Sequence, residues 1–154
     1  MKRYLLMAFF MYCLFGTLSA SAQDGLGVKA LFEKKYQAKD NVTVVFVKGQ
    51  EIKRYGLTMF RSIVMAEGSA LSHHVEAIVK QDALKATSKE VAVKNGRLYY
   101  GFYSFRPVRS KINRYLLYRN NALGETGKSN ITLIYMEGKT SLEQLRKNFK
   151  MIGK

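Results

Sequence analysis

One cysteine, one proline, two histidines and no tryptophan are all that this chain of 154 residues holds of those four types. Each shortage excludes something. Cys13 has no second thiol to join, so an internal disulfide and a cysteine-built zinc site are ruled out. With Pro107 alone and no glycine- and serine-rich tract, nothing marks an internal linker. His73 and His74 are adjacent, and neighbouring side chains on a helix diverge by about 100°. They cannot grip one ion as residues four apart can. Acidic residues are scarce as well: 11 Asp and Glu face 26 Lys and Arg, a formal net charge of +15. Such an excess favours anionic surfaces such as lipid head groups, acidic glycans or nucleic acid.

What is present begins with an export pattern. Lys2 and Arg3 precede an uncharged stretch from Tyr4 to Leu18, and Ala20-Ser21-Ala22 supplies the small-x-small site at which a signal peptidase cuts. The expected first residue of the working protein is Gln23. A helix that stays in a bilayer needs about 20 continuous apolar residues, and this run is shorter. Cys13 lies inside the run rather than just after it, which argues against a lipid anchor. The expected organisation is a signal peptide over 1–22 and one α+β domain over 23–154. Loss of Lys2, Arg3 and Cys13 with the leader leaves a thiol-free chain with 24 basic and 11 acidic residues, formally +13. Its expected destination is the periplasm or the medium, with no transmembrane segment left after cleavage.

Periodicity then divides the chain into elements. Val28, Leu31, Phe32 and Tyr36 recur at helical spacing and predict an amphipathic helix over Leu26–Ala38. Val42–Val47 is a β-branched strand whose two faces are both apolar, so both are expected to be covered. Leu57–Met65 reads as a strand, although so short an apolar run also suits a buried helical turn. Leu71, Val75, Ile78 and Val79 stripe a helix over Ala70–Ala86. Asn95-Gly96 between Val91–Lys94 and Arg97–Phe105 is the signal of a type I′ hairpin, whose two central residues need positive φ. Strands over Asn113–Arg119 and Ile131–Met136 complete an antiparallel meander. Thr140 and Glu143 have the spacing of a capping box, and Leu142, Leu145, Phe149 and Ile152 share one face of the helix that follows. The expected fold is α+β: an antiparallel sheet of four to six strands with two or three helices on one face.

Motifs that carry chemistry are few. Ala122 to Ser129 fits a loose phosphate-loop pattern, but such a loop needs a helix starting at its Lys-Ser end. Ile131–Tyr135 is of strand type instead, so no nucleotide is expected. His74 borders the apolar stripe and His73 points to solvent, and neither is expected to bind metal. Asp82 falls on the stripe one turn past Ile78 and Val79. Buried, it needs a partner such as Arg or Lys; the favoured reading is that the helix frays or bends before it and leaves it in water. No serine, histidine and acid form a recognisable nucleophilic set, so no catalytic residue, metal or cofactor is assigned. Arg97 to Arg119 interleaves cations with rings. Packing explains the rings, and the cluster Arg106, Arg109, Lys111 and Arg114 around Pro107 stands as the candidate anion-binding surface.

The Ala-Ser-Ala-Gln junction, Leu31-Phe32-Glu33-Lys34-Lys35-Tyr36, Val42-Thr43-Val44-Val45 and Ile131 to Gly138 before Leu142-Glu143-Gln144-Leu145 resemble small exported domain-of-unknown-function proteins of Bacteroidota-type bacteria. That resemblance implies an envelope or secreted location and transfers no site. The expected function is a non-catalytic binding or interaction module. Its alternatives are a polyanion-binding protein acting through the Pro107 turn and a hydrolase with an unrecognised carboxylate pair, for which Asp82 is the first residue to inspect.

Overall fold

The computed structural model describes residues 25–33, 36, 41–107, 111–124 and 127–149. The predicted leader and its cleavage site at Ala20, Ala22 and Gln23 lie outside the described residues, as does Arg109. Six strands form one antiparallel sheet: β1 (Val42–Val47), β2 (Leu57–Ala66), β3 (Ser88–Lys94), β4 (Arg97–Phe105), β5 (Asn113–Asn120) and β6 (Asn130–Gly138). Their order is β1-β2-β6-β5-β4-β3. The predicted meander of β3 to β6 is therefore present, and β2 joins it by pairing with β6, with Ile63 opposite Leu133. The α+β class and the antiparallel sheet are as expected, and Leu57–Met65 lies wholly within a strand.

Side-chain alternation divides the core into two layers. On one face Ile63, Met65, Tyr103, Phe105, Leu116, Tyr118, Leu133 and Tyr135 pack beneath α2 (Ala70–Asp82) and a 3₁₀ helix, Gly27–Phe32. On the other, Phe102, Tyr115, Leu117 and Met136 meet Leu145 of α3 (Leu142–Phe149) and Ile52 of the single turn α1 (Gln50–Lys53). The helices thus cover both faces, because β4, β5 and β6 carry large apolar residues at odd and even positions alike. Two bulges adjust the alternation. Tyr99 is the extra residue where the β3–β4 register shifts, and this puts Leu98 on the α2 side with Tyr103.

The hairpin turn is as predicted, with Asn95 at φ 52° and Gly96 at φ 72°. Three local expectations change. The first helix is a six-residue 3₁₀ segment: Val28 and Leu31, three apart, align on the buried side of a three-residue repeat. β1 is not covered on both faces, because it is an edge strand and leaves Val45 and Phe46 exposed. The cap of α3 is Ser141, whose Oγ accepts from Gln144 N–H at 3.2 Å. Thr140 is instead fastened to the sheet: its carbonyl accepts from Tyr115 O–H at 2.8 Å and from Asn113 Nδ2 at 3.0 Å.

Candidate functional site

Beyond the end of α2 the sheet continues further than the helices that cover it. A 3₁₀ turn, Ala83–Lys85, follows α2 directly, and β3 runs past it as the outermost strand. Every residue of β3 is exposed. Val91 stands opposite Gly101 and Val93 opposite Leu98, so both valines face the α2 side. Between this strand and the turn lies a groove of about 330 Å³, lined by Ala83, Leu84, Val91, Val93, Leu98 and Tyr103 with Lys80 and Lys89 at its rim. Leu84 is 83% exposed, Val93 61% and Val91 49%. Most other large apolar side chains of the described residues are buried. Three exposed ones gathered at one groove form the kind of patch that marks an interaction surface.

Tyr103 makes the floor. Its ring folds over Gly101, where an added Cβ would stand 2.3 Å from the phenol oxygen. Glycine here is a requirement of that close approach. Burial pushes the Tyr103 hydroxyl above its ordinary pKa, so the floor is uncharged at any physiological pH. Lys80 reaches Glu76 at 2.7 Å, and Lys85 donates to Gly25 O at 2.7 Å.

Behind the groove, a buried ion cluster fixes α2 to the hairpin. Glu76 accepts from Arg97 at 2.8 Å and from Leu98 N–H at 3.3 Å, and Arg97 also pairs with Glu67. Burial alone raises the Glu76 pKa, but hydrogen bonds from Lys80, Arg97 and Leu98 outweigh it and hold the carboxyl below its ordinary 4.5. The same contacts raise Arg97. Glu76, so engaged, is held ionised and is not placed to donate a proton as general acid. A depressed native pKa stabilises the fold fully above the unfolded value and loses that contribution as pH falls through the native value. Below about pH 4.5 the melting temperature of the wild type is therefore expected to fall more steeply than that of Glu76→Gln. The gap between the two, largest near pH 7, should shrink; parallel melting curves from pH 7 to pH 3 would contradict this role.

Asp82 is 2% exposed, so the expectation that it is wet does not hold. Its two carboxylate oxygens accept from Gly27 N–H and Val28 N–H, each at 2.9 Å. These are the first donors of the N-terminal 3₁₀ helix, which have no partner within that helix. Asp82 is thus a cap supplied from another element, and among the described residues no second carboxylate is paired with it. The histidines are both exposed. Among the described residues no group of three or more His, Cys, Asp or Glu could hold a metal ion. Lys128-Ser129 leads into β6 at Asn130, so the helix that a phosphate loop requires is replaced by a strand.

Of the four cations proposed around Pro107, three lie among the described residues. Arg106 and Lys111 are exposed, and Arg109 lies outside the described residues. Arg114 is 4% exposed, and its Nε donates to Arg106 O at 2.8 Å. It sits across the sheet from Glu137, which also accepts from Tyr135 O–H at 2.6 Å and pairs with Lys29 at 3.5 Å. Burial, then the hydrogen bond to Glu137, push the Tyr135 hydroxyl well above its ordinary pKa. Arg114 therefore balances an interior cluster rather than an open surface.

The groove was not found from sequence. Val91 and Val93 at strand period with Lys89 beside them were its only signal; Leu84, seven residues earlier, gave none. No helix among the described residues is long and apolar enough to cross a membrane. No curated protein and no solved structure matches the chain. A family model does match residues 15–149, most of its length, and the chain therefore belongs to DUF6108, a family of unknown function.

Proposed function

We propose that this protein is a non-catalytic binding module of the bacterial cell envelope, and that its working surface is the groove between β3 and the Ala83–Lys85 turn. The observation that carries the reading is the gathering of Leu84, Val91 and Val93 at one exposed place. Leaving such side chains in water forgoes about 1.5–3 kcal/mol each relative to full burial, which a partner recovers on docking. The compartment is inferred from Lys2, Arg3, the uncharged run from Tyr4 to Leu18 and Ala20-Ser21-Ala22. The resemblance to exported Bacteroidota-type proteins supports the same location. The buried carboxylates of Glu76 and Asp82 are occupied by partners within the fold, Glu76 by Lys80, Arg97 and Leu98 N–H and Asp82 by two backbone N–H groups, which supports binding over hydrolysis.

The reading is tested in intact cells by placing a photo-crosslinking amino acid at Val93, in the groove, and at Lys128, in an exposed loop. The expected result is a discrete adduct from position 93, recovered from the envelope fraction, and none from position 128. Identical patterns at the two positions, or adducts confined to the cytosol, would end the proposal.

A further inference from the structure

Resting on that reading, we infer that the occupant of the groove is an extended peptide segment of a partner protein, carrying alternating apolar and acidic residues and added to β3 as a seventh strand. Among the described residues β3 pairs only with β4, through one of its edges. Along its other edge alternate backbone N–H and C=O groups point outward with no strand partner among the described residues. At seven residues it offers about 23 Å of such edge, and its full exposure leaves both faces of an added strand accessible. The opposite edge of the sheet is less open. On β1 the exposed ring of Phe46 is flanked by Lys48 Nζ and by Arg61 Cζ, each 4.8 Å from its centroid.

Charge selects the partner. The ammonium of Lys89 has no hydrogen bond or ion pair among the described residues, and Lys80 lines the same groove. The carboxylates nearby are already engaged: Glu76 by Lys80 and Arg97, Asp82 by two backbone N–H groups, and Glu90 by Arg146. A strand lying along β3 sets one alternate series of side chains over Val91, Val93 and Leu84, and there apolar residues fit. An acidic residue two positions along the same face meets Lys89. The other series faces Lys94. A second copy of the chain is the wrong partner, because pairing two β3 edges antiparallel preserves the faces and sets only Lys89, Val91 and Val93 of the other copy beside Lys89, with no carboxylate to meet it, and both copies are strongly basic. An acyl chain could fill the apolar strip, but it would leave the outer N–H and C=O groups of β3 without partners.

The test pans a random seven-residue peptide library on the purified protein, with counter-selection on a Val91→Glu, Val93→Glu variant. Both sites are exposed, so the variant is expected to keep the wild-type melting temperature. Enriched sequences should alternate apolar with Asp or Glu. A synthetic peptide of the enriched sequence, followed by fluorescence anisotropy, should lose at least tenfold in affinity to that variant. The loss should be as large when alternate peptide amides are N-methylated, and Lys89→Glu should shift preference toward basic peptides. Enriched peptides that bind equally well after N-methylation, or show no acidic preference, overturn the strand-addition inference. Laurate or phosphatidylglycerol vesicles binding in a Val93-dependent manner, with no peptide enriched, would also overturn it while leaving the groove as a binding site. If neither peptide nor amphiphile distinguishes the wild type from the variant, the groove reading falls as well.

Discussion

Replacing Gly138 by alanine is expected to cost the fold about 3 kcal/mol, a fall in melting temperature of roughly 10 °C for a chain of this size. Gly138 ends β6 where three strands meet, opposite Leu57 of β2 on one side and Asn113 of β5 on the other. An added Cβ would stand 2.3 Å from Gly56 O and 2.7 Å from Leu57 Cα. Both are backbone atoms, so no rotamer change relieves the clash. Gly56 is itself fixed there by its φ of +72° and by its carbonyl, which accepts from Lys139 N–H at 2.9 Å and Thr140 N–H at 3.2 Å. Moving Gly56 away from a methyl group would break both bonds and loosen Thr140, the anchor that precedes α3. Gly25→Ala is the matched control, because nothing lies within 4 Å of its added Cβ; its melting temperature should stay within about 1 °C of the wild type. Equal melting temperatures for the two variants in denaturant and thermal scans would show that the crossing yields freely.

The elements that could be read from the chain are those whose chemistry is local. Asn95-Gly96 specifies its turn because both residues must take positive φ, and no distant contact enters that argument. β-branched spacing placed β1 and β2 within a residue or so of their observed ends. What escaped was set by neighbours remote in sequence. Thr140 has the right spacing to cap α3, yet Tyr115 and Asn113 bind its carbonyl and pass the cap to Ser141. Edge or centre could not be decided for β1, since strand order depends on β2 choosing β6 across the sheet. Arg114 reads as a surface cation by type and lies inward because its strand alternates that way, opposite Glu137. The groove is the same case: Leu84 and Val93 become one surface only when the end of α2 is laid beside β3.

Asp82 carries this dependence furthest, and its replacement by alanine is expected to destabilise the protein by about 3–5 kcal/mol. Two charge-assisted hydrogen bonds, each contributing about 1.5–3 kcal/mol, are lost together, and the N–H groups of Gly27 and Val28 remain without an acceptor. The partners are 54 and 55 residues away in sequence, so the loss falls on the join between the N-terminal 3₁₀ helix and α2 rather than on α2 alone. That join covers part of the core. Val28 is fully buried and Leu31 1% exposed, both packed over the sheet. Once Asp82 is gone, the 3₁₀ helix should detach before the sheet melts, making Lys29 a cleavage site for trypsin under conditions in which the wild type is intact there. Asp82→Asn should lie between the two, since its amide oxygen can accept from one N–H while its NH₂ group opposes the other. Amide exchange resolves the alternative. Early loss of protection confined to 27–32 places Asp82 as the latch of that segment, whereas loss spread evenly over α2 and the sheet would mean that the carboxylate serves the core as a whole and holds no separable segment.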